Sequence, residues 1–444
     1  MTDSGFVLSF PTVKNKAIVT QFDGGEVTSD AGVMLLSEAD RKLGLSKAMA
    51  EAITDRRHRG KIAHTVEEMI RERVYAISLG YEDANDLDTL GSDPALKLAC
   101  GILPSSPDLA SQPTISRLEN SVSRKDLYKM GMQIARSAVE RLQSGTREVV
   151  LEVDVADDPC HGQQEFRFFS AYYDEYCYLP LFVHITGEDG RRHLVASLLR
   201  HGKAYVTHGL FGVLRRVAGL VRGRFPGVRI ILRADGGFGV ENVIGWCERN
   251  GVDYVVGLPT NKKLKELSTP VQMDVALKYK WEGDGCREYG EFGYQAKTWP
   301  RARRVIVKAE ITCGEINPRL VVTNLAETPQ EVYEFYCRRG DQENRIKEMK
   351  LDLSSGRTSC HRFLANQFRL LLHTAACMLM GVLQDWLKGT KWARAQVGTL
   401  RLRLLKVGAR VVETCRRVWL HLPTSFPEKE TWRQMHRHLV SGIT

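Results

Sequence analysis

The 444-residue sequence predicts an α/β protein. A sheet-centred core carries an inserted β-subdomain, with a mostly helical region before it and a helical, basic region after it. Three observations predict this. Near residue 148, helical periodicity gives way to β-branched runs of period two, beginning with REVVLEVDVADD. From there the runs follow the order β-β-β-α-β-α-β, which is that of the ribonuclease-H-like fold. Between 262 and 328 the order breaks into further strand-like runs, too long for a loop and too β-rich for the next helix.

Each element has its own signal. Residues 1–25 alternate apolar and polar (FVLSF, KAIVTQF) and predict a hairpin. Thr28, Ser29 and Asp30 offer an N-cap to AGVMLLSEADRKLGL, and the pattern stays mostly helical to about 145. TVEEMIRERVYAISLGY pairs Thr65 as cap with Glu68 as capping-box partner. SQPTISRLEN predicts a helix start at Pro113–Thr114 that presents Thr114, Ser116 and Arg117. That array suits DNA reading by a helix-turn-helix, and equally an ordinary capped helix. YCYLPLFVHI and HLVASLLR read as strands joined by the turn TGEDGRR, and THGLFGVLRRVAGLVRGR as an amphipathic helix. VRIILRADGG is a buried strand ending on Asp235, ENVIGWCERNG a helix closed by Gly251, and VDYVVGLP another strand. Within the insertion, KYKWEGDGCREYGEFGYQAKTWPRARRVIVKAEI and NPRLVVTNL read as strands. One helix is expected through YCRRGDQENRIKEMK, and a long one through RFLANQFRLLLHTAACMLMGVLQDWL, packed on the sheet. The expected divisions are 1–146, 147–261, 262–328, 329–387 and 388–444.

Composition narrows the class. At 43% hydrophobic and 26% charged the chain is ordinary globular protein, long enough for two or three domains. Its net charge of +10 favours an anionic partner, most commonly nucleic acid. Residues 388–417 hold nine Lys or Arg against one acid, Glu413, so most of the excess lies there. Val, Leu and Trp interleave with those bases, which argues for a phosphate-backbone contact over a merely solvated face. None of the ten Cys forms a Cys-x-x-Cys pair, so a zinc ribbon is not expected, and scattered thiols fit a reducing compartment. MTDSGFVLSFPTVKNK has no signal-peptide pattern, and the apolar run LLLHTAACMLMGVL contains His373 and is too short for a bilayer. A cytoplasmic protein with no membrane partner is expected. No Gly-x-Gly-x-x-Gly or Gly-x4-Gly-Lys-Ser/Thr occurs, so a doubly wound nucleotide enzyme built on RADGGFGVEN is disfavoured and no nucleotide cofactor is expected.

The most informative stretch is YCRRGDQENRIKEMK. Tyr336, Arg339, Glu343 and Lys350 lie at offsets of three, four and seven, which on one helix bring them within roughly a 60° arc. A core stripe would be apolar, and this one is an aromatic, a guanidinium, a carboxylate and an ammonium. Phosphodiester chemistry with two divalent ions needs converging carboxylates. In a ribonuclease-H-like catalytic core the first acid lies within the first strand, the second at the end of the fourth, and the third on a later helix. Asp154 fits the first place, Asp235 the second and Glu343 the third. Gly236 and Gly237 would let a substrate backbone come close. Each acid also has a plain reading. Asp157 or Asp158 stands near enough to replace Asp154, Asp235 could cap the helix after it, and Glu343 could pair with Arg339 or Lys347.

On these residues the chain resembles DDE transposases of bacterial insertion sequences that carry the pattern Tyr-x2-Arg-x3-Glu-x6-Lys, which Tyr336, Arg339, Glu343 and Lys350 match at every spacing. VDVADDPCHGQQE, YYDEYCYLPLFVHI, ILRADGGF and TSDAGVMLLSEADRKLGL are similar to insertion sequence family 1380, the transposase DDE domain group 1. The resemblance implies that Asp154, Asp235 and Glu343 bind two Mg²⁺ or Mn²⁺ ions. It implies cleavage at the ends of the element, with the freed 3′-hydroxyls then joined to target DNA, in some relatives through a hairpin intermediate. Tyr336, Arg339 and Lys350 would hold terminal phosphates or a displaced base; Arg117 is a DNA-contact candidate from the helix reading of SQPTISRLEN alone. Double-stranded DNA, as terminal inverted repeats and target, and a second copy of the chain are the partners implied. His161, Gln163 and Glu165 lie in a matching passage without an assigned role. The rival readings are a ribonuclease-H-like DNA nuclease without strand transfer and a non-catalytic DNA-binding relative.

Overall fold

Residues 8–440 are described by a computed structural model of the chain. Their contacts define two units, one of residues up to 122, 352–357 and 375 onward, the other of 123–351 and 358–374. The first unit opens with β1 (Leu8–Val13) and β2 (Lys16–Thr20), the antiparallel hairpin expected, turned by Lys14 and Asn15 at positive φ. β3 (Val27–Thr28) precedes α1 (Val33–Leu43) and α2 (Leu45–Glu51). Thr28, Ser29 and Asp30 do not cap α1, which starts from Gly32 without a side-chain cap. Asp30 instead accepts from the Tyr81 hydroxyl at 2.9 Å and pairs with Lys406 Nζ at 2.8 Å, so its carboxylate ties distant segments together. α3 (Val66–Leu79) does begin with the Thr65–Glu68 capping box. α4 (Leu87–Leu90), α5 (Pro94–Cys100) and α6 (Gln112–Ser121) complete this stretch.

The second unit starts with α7 (Arg124–Glu140) and is built on an eight-stranded mixed sheet. β4 (Glu148–Val155) lies near its middle, buried on both faces: Val149, Leu151 and Val153 fill one, and Val150 and the buried Glu152 lie on the other. A small separate sheet follows, of β5 (Asp158–Pro159), β6 (Phe168–Ser170) and β7 (Glu175–Tyr178). β8 (Leu181–Thr186) and β9 (Arg192–Leu198) add antiparallel strands beside β4. α8 (Leu210–Arg224) then leads to β10 (Arg229–Ala234), parallel to β4. α9 (Glu241–Arg249) leads to β11 (Asp253–Leu258), parallel to β10.

The inserted segment differs from expectation. It begins with a 21-residue helix, α10 (Lys262–Glu282), capped by Asn261. Its strands β12 (Arg287–Tyr294), β13 (Arg303–Thr312) and β14 (Glu315–Thr323) continue the main sheet, through β14 paired antiparallel to β11. They are not a separate β-subdomain, and the reason is physical: Val305, Val307, Ile306 and Val321 are all fully buried, so β13 and β14 have two faces to cover. Val271, Val275 and Tyr279 of α10 cover one side with Cys286, Ala309 and Ile311. The full order is β12-β13-β14-β11-β10-β4-β8-β9.

Two further expectations are corrected. The stretch from Tyr336 to Lys350 is two helices, α11 (Pro329–Cys337) and α12 (Gly340–Leu351). At the junction the Arg339 and Gln342 amides reach back only three residues, to Tyr336 and Arg339, and Gly340, a poor helix former, stands at the break. α13 (Phe363–Trp386) is the long helix expected. Beyond it the basic region is not all helical. After α14 (Val397–Leu400) and one wide turn, β15 (Ala409–Glu413) pairs with β16 (Val418–His421) and with β3, and α15 (Lys429–Val440) ends the described chain. Ala31, Val407 and Ala409 form the core under that small sheet, so the two ends of the first unit fold together.

Candidate functional site

β4 and β10 place the first two acids. Ala234 pairs with Val153 in the parallel register, so Asp154 and Asp235 are the next residues on adjacent strands. Side chains two apart share a face, which puts Glu152 and Arg233 beneath them. That lower pair is a buried network. Glu152 Oε1 accepts from Arg233 Nη2 at 2.8 Å and from Arg192 Nη2 at 3.0 Å, and Arg233 Nη1 also reaches the Phe335 carbonyl at 2.6 Å. The acids therefore stand on a fixed, charge-compensated floor that also anchors α11.

Asp154 Oδ1 accepts from the Val155 amide at 2.8 Å. Burial, then the nearby Asp235 and Glu343, push its carboxyl up to about 6, against the pull of Val155 N–H and Arg339. Asp235 caps the short turn Gly236–Phe238 through the Gly237 amide at 3.0 Å. The plain capping role thus exists, on the turn that follows it. Gly257 on β11 makes this possible, since a Cβ there would lie 2.7 Å from Gly236 N and 2.7 Å from Tyr336 Oη.

The break between α11 and α12 brings Arg339 between the other groups. Its guanidinium is 3.6 Å from Asp154 Oδ2 and 2.6 Å from Glu343 Oε1. Tyr336, largely buried against Tyr333, lies by Asp235 and Arg339, and burial raises its hydroxyl pKa. Asp154, Asp235, Glu343, Tyr336 and Arg339 are thus one cluster. Lys350 is held apart from it, with Nζ 3.0 Å from Asp157 Oδ2. Asp158 is buried, accepts from Thr358 Oγ1 at 2.8 Å, and is pushed up to about 7 by that burial. Of the unassigned trio, Glu165 accepts from the Phe363 amide and Gln163 from Arg167, while His161 is exposed.

Among the described residues no three His, Cys, Asp or Glu side chains stand close enough together to hold a metal ion. The donor set nonetheless suits a hard cation. It offers only carboxylate oxygens, from three elements, and the one cation now between two of them is Arg339. Moving that side chain aside frees oxygens of Asp154 and Glu343 together.

Arg117 belongs to a different place, in the first unit. Its Nη2 donates to Thr114 Oγ1 at 2.9 Å on α6, and both residues line a cleft of about 470 Å³ with the loop TDRRHRGKIAH, residues 54–64. Arg57 is fixed there by both Asp55 oxygens and by the His64 carbonyl. Arg56, Arg59 and Lys61 are exposed and have no carboxylate partner among the described residues. The sequence reading passed over this loop, although four bases and two histidines in eleven residues signalled it.

No curated protein matches the chain. The family described as transposase DDE domain group 1 matches it from residue 10 to residue 441. Matched over nearly its whole length, this chain belongs to the transposase DDE domain group 1 family.

Proposed function

We propose that this transposase binds the terminal inverted repeats of an insertion sequence, cuts phosphodiester bonds at their ends and joins the 3′-hydroxyls to target DNA. The observation that carries the reading is the meeting of Asp154, Asp235 and Glu343 around Arg339, on two parallel neighbouring strands and a later helix. The order β9-β8-β4-β10-β11, with β8 antiparallel to β4 and β10 and β11 parallel to it, supports a ribonuclease-H-like core. The likeness of VDVADDPCHGQQE, YYDEYCYLPLFVHI, ILRADGGF and YCRRGDQENRIKE to insertion sequence family 1380 supports that assignment.

Asp154, Asp235 and Glu343 would hold two Mg²⁺ or Mn²⁺ ions, which supply positive charge to the attacking and leaving oxygens. The chain's own residues do the rest. Arg339 keeps the acids together before DNA arrives and presents a fork that fits a phosphate when it turns away from them. Tyr336 braces the Asp235 turn. Asp157 holds Lys350 at the edge of the site, where its ammonium meets the DNA backbone as a point charge. Arg117 and the loop 54–64 contact duplex phosphates in the first unit. Two ends must be joined, so two copies of the chain act together.

The test uses a duplex carrying the genomic sequence that flanks this reading frame, with Mg²⁺ and a second DNA as target. Wild type is expected to nick at one defined position and to join that end to the target, and Asp235→Ala to do neither. Cutting without a preferred position would instead establish a plain nuclease, and equal cutting by the variant would remove Asp235 from the site.

A further inference from the structure

Six of the eleven exposed aromatic side chains of the described chain lie between residues 166 and 205, in or beside the hairpin of β6 and β7. Solvent-facing aromatics at this density call for a partner. The cross-strand register separates the two faces: Phe169 is opposite Tyr176, while Phe168 is opposite the buried Cys177. Phe169 and Tyr176 are 43% and 50% exposed and touch edge to face, with centroids 5.6 Å apart. The Arg167 guanidinium lies over the Tyr176 ring at 4.9 Å. Tyr172, 88% exposed, stands at the hairpin tip against Tyr173. One face of the hairpin is therefore a ladder of guanidinium and two rings, with a third ring at its end.

The hairpin that carries the ladder is anchored through its backbone. A Cβ on Gly202 would lie 2.3 Å from the Cys177 carbonyl and 2.4 Å from that of Phe168, so the hairpin is pressed onto the next loop. Buried Arg200 clamps both, donating to Leu179 O at 2.7 Å and Val206 O at 2.9 Å. The hairpin is tied to the strand of the first acid, because β5, which begins four residues after Asp154, pairs with β7. Tyr173 is pushed up to about 12 by burial first, and then by Asp157, Tyr172 and Asp154.

We infer that the Phe169–Tyr176 ladder stacks an unpaired nucleobase of the DNA brought to the acids, with Arg167 holding the adjoining phosphate. Rings beside a guanidinium suit that occupant, because every base has a π-face and every nucleotide a negative charge. This rests on the catalytic reading only for which DNA is delivered, and binding to an unpaired strand is measured without cleavage.

The probe is a labelled short oligothymidylate, with a blunt duplex as comparison, titrated by fluorescence anisotropy against the full-length protein. Phe169→Ala and Tyr176→Ala are each expected to weaken oligothymidylate binding by about 10-fold, with duplex binding little changed. Phe169→Tyr and Tyr176→Phe, which keep a ring, should bind as wild type does. The inference is overturned if wild type does not bind the single strand, if the Ala variants bind it normally, if duplex binding falls equally, or if the ring-keeping variants also fail. Asp154→Ala separates the two readings: it should lose cleavage and keep oligothymidylate binding. Cleavage by Asp154→Ala at the wild-type rate would sink the catalytic reading and leave the ladder's binding result standing.

Discussion

Asp154 is a carboxyl whose charged form is disfavoured where it sits. Burial and two acidic neighbours raise it from a usual value of 3.8 to about 6. Below pH about 4 the folded and unfolded chains both carry this proton, and the group adds nothing to stability. As pH rises to about 6 the unfolded chain ionises first, so folded stability falls, and above 6 the full penalty holds, on the order of 3 kcal/mol. Replacing Asp154 by Asn removes the titration. In metal-free buffer the melting temperature of Asp154→Asn should gain on wild type between pH 4 and pH 8, and a gap that stays constant would show that Asp154 is not held this way. Asp154, Asp235 and Glu343 could be picked out as candidates in the sequence because strand, turn and helix signals surround each of them. The pairing of Arg339 with Glu343 could be read too, but its approach to Asp154 could not. Its spacing to Tyr336 and Glu343 suggested one helical face, yet the break before Gly340 turns the guanidinium between Asp154 and Glu343.

At the scale of elements, α11 is positioned from both ends. At its start Thr328 Oγ1 accepts from the Glu331 amide, and Glu331 Oε2 accepts from the Thr328 amide at 3.0 Å, a capping box. Near its end the Phe335 carbonyl takes Arg233 Nη1. Thr328→Ala removes the first of these anchors and should cost about 1 kcal/mol. Hydrogen exchange should show faster opening of the 329–337 amides, with β4 and β10 unaffected. Equal loss of protection across the sheet would mean that α11 and the sheet open as one. The Thr65–Glu68 box was legible for the same local reason, since both partners lie within one turn. α10 was not. Its apolar residues Leu264, Val271, Val275 and Tyr279 recur at helical spacing, but Pro270 interrupts the pattern and strong strand runs follow it. Joining of β14 to β11 is a long-range pairing that no local pattern reports.

For the whole molecule the decisive quantity is where the excess positive charge is free. Sequence places most of it in 388–417, yet several of those bases are engaged inside the first unit. Lys406 pairs with Asp30, Lys391 with Glu428, and Arg401 donates to the Ser78 carbonyl. The loop 54–64 holds its cations differently, with Arg57 tied to Asp55 as a brace, Arg56 and Lys61 exposed in the cleft that Arg117 lines, and Arg59 exposed between them in the chain. A cation already paired with a carboxylate displaces few counterions on meeting DNA, whereas an unpaired one displaces nearly a full ion per phosphate. Changing Arg56, Arg59 and Lys61 together to Gln should therefore lower the slope of log affinity against log salt by about 2–3 on any duplex, independent of its sequence. The same number of changes at Lys391, Arg401 and Lys406 should lower it by less and cost melting temperature. Slopes measured by anisotropy over a salt series distinguish the two sets. If the 54–64 variant keeps the wild-type slope, the duplex runs elsewhere, and exposed bases of the C-terminal segment, among them Lys388, Arg394, Arg403, Arg410, Arg416 and Arg417, become the surface that must carry it.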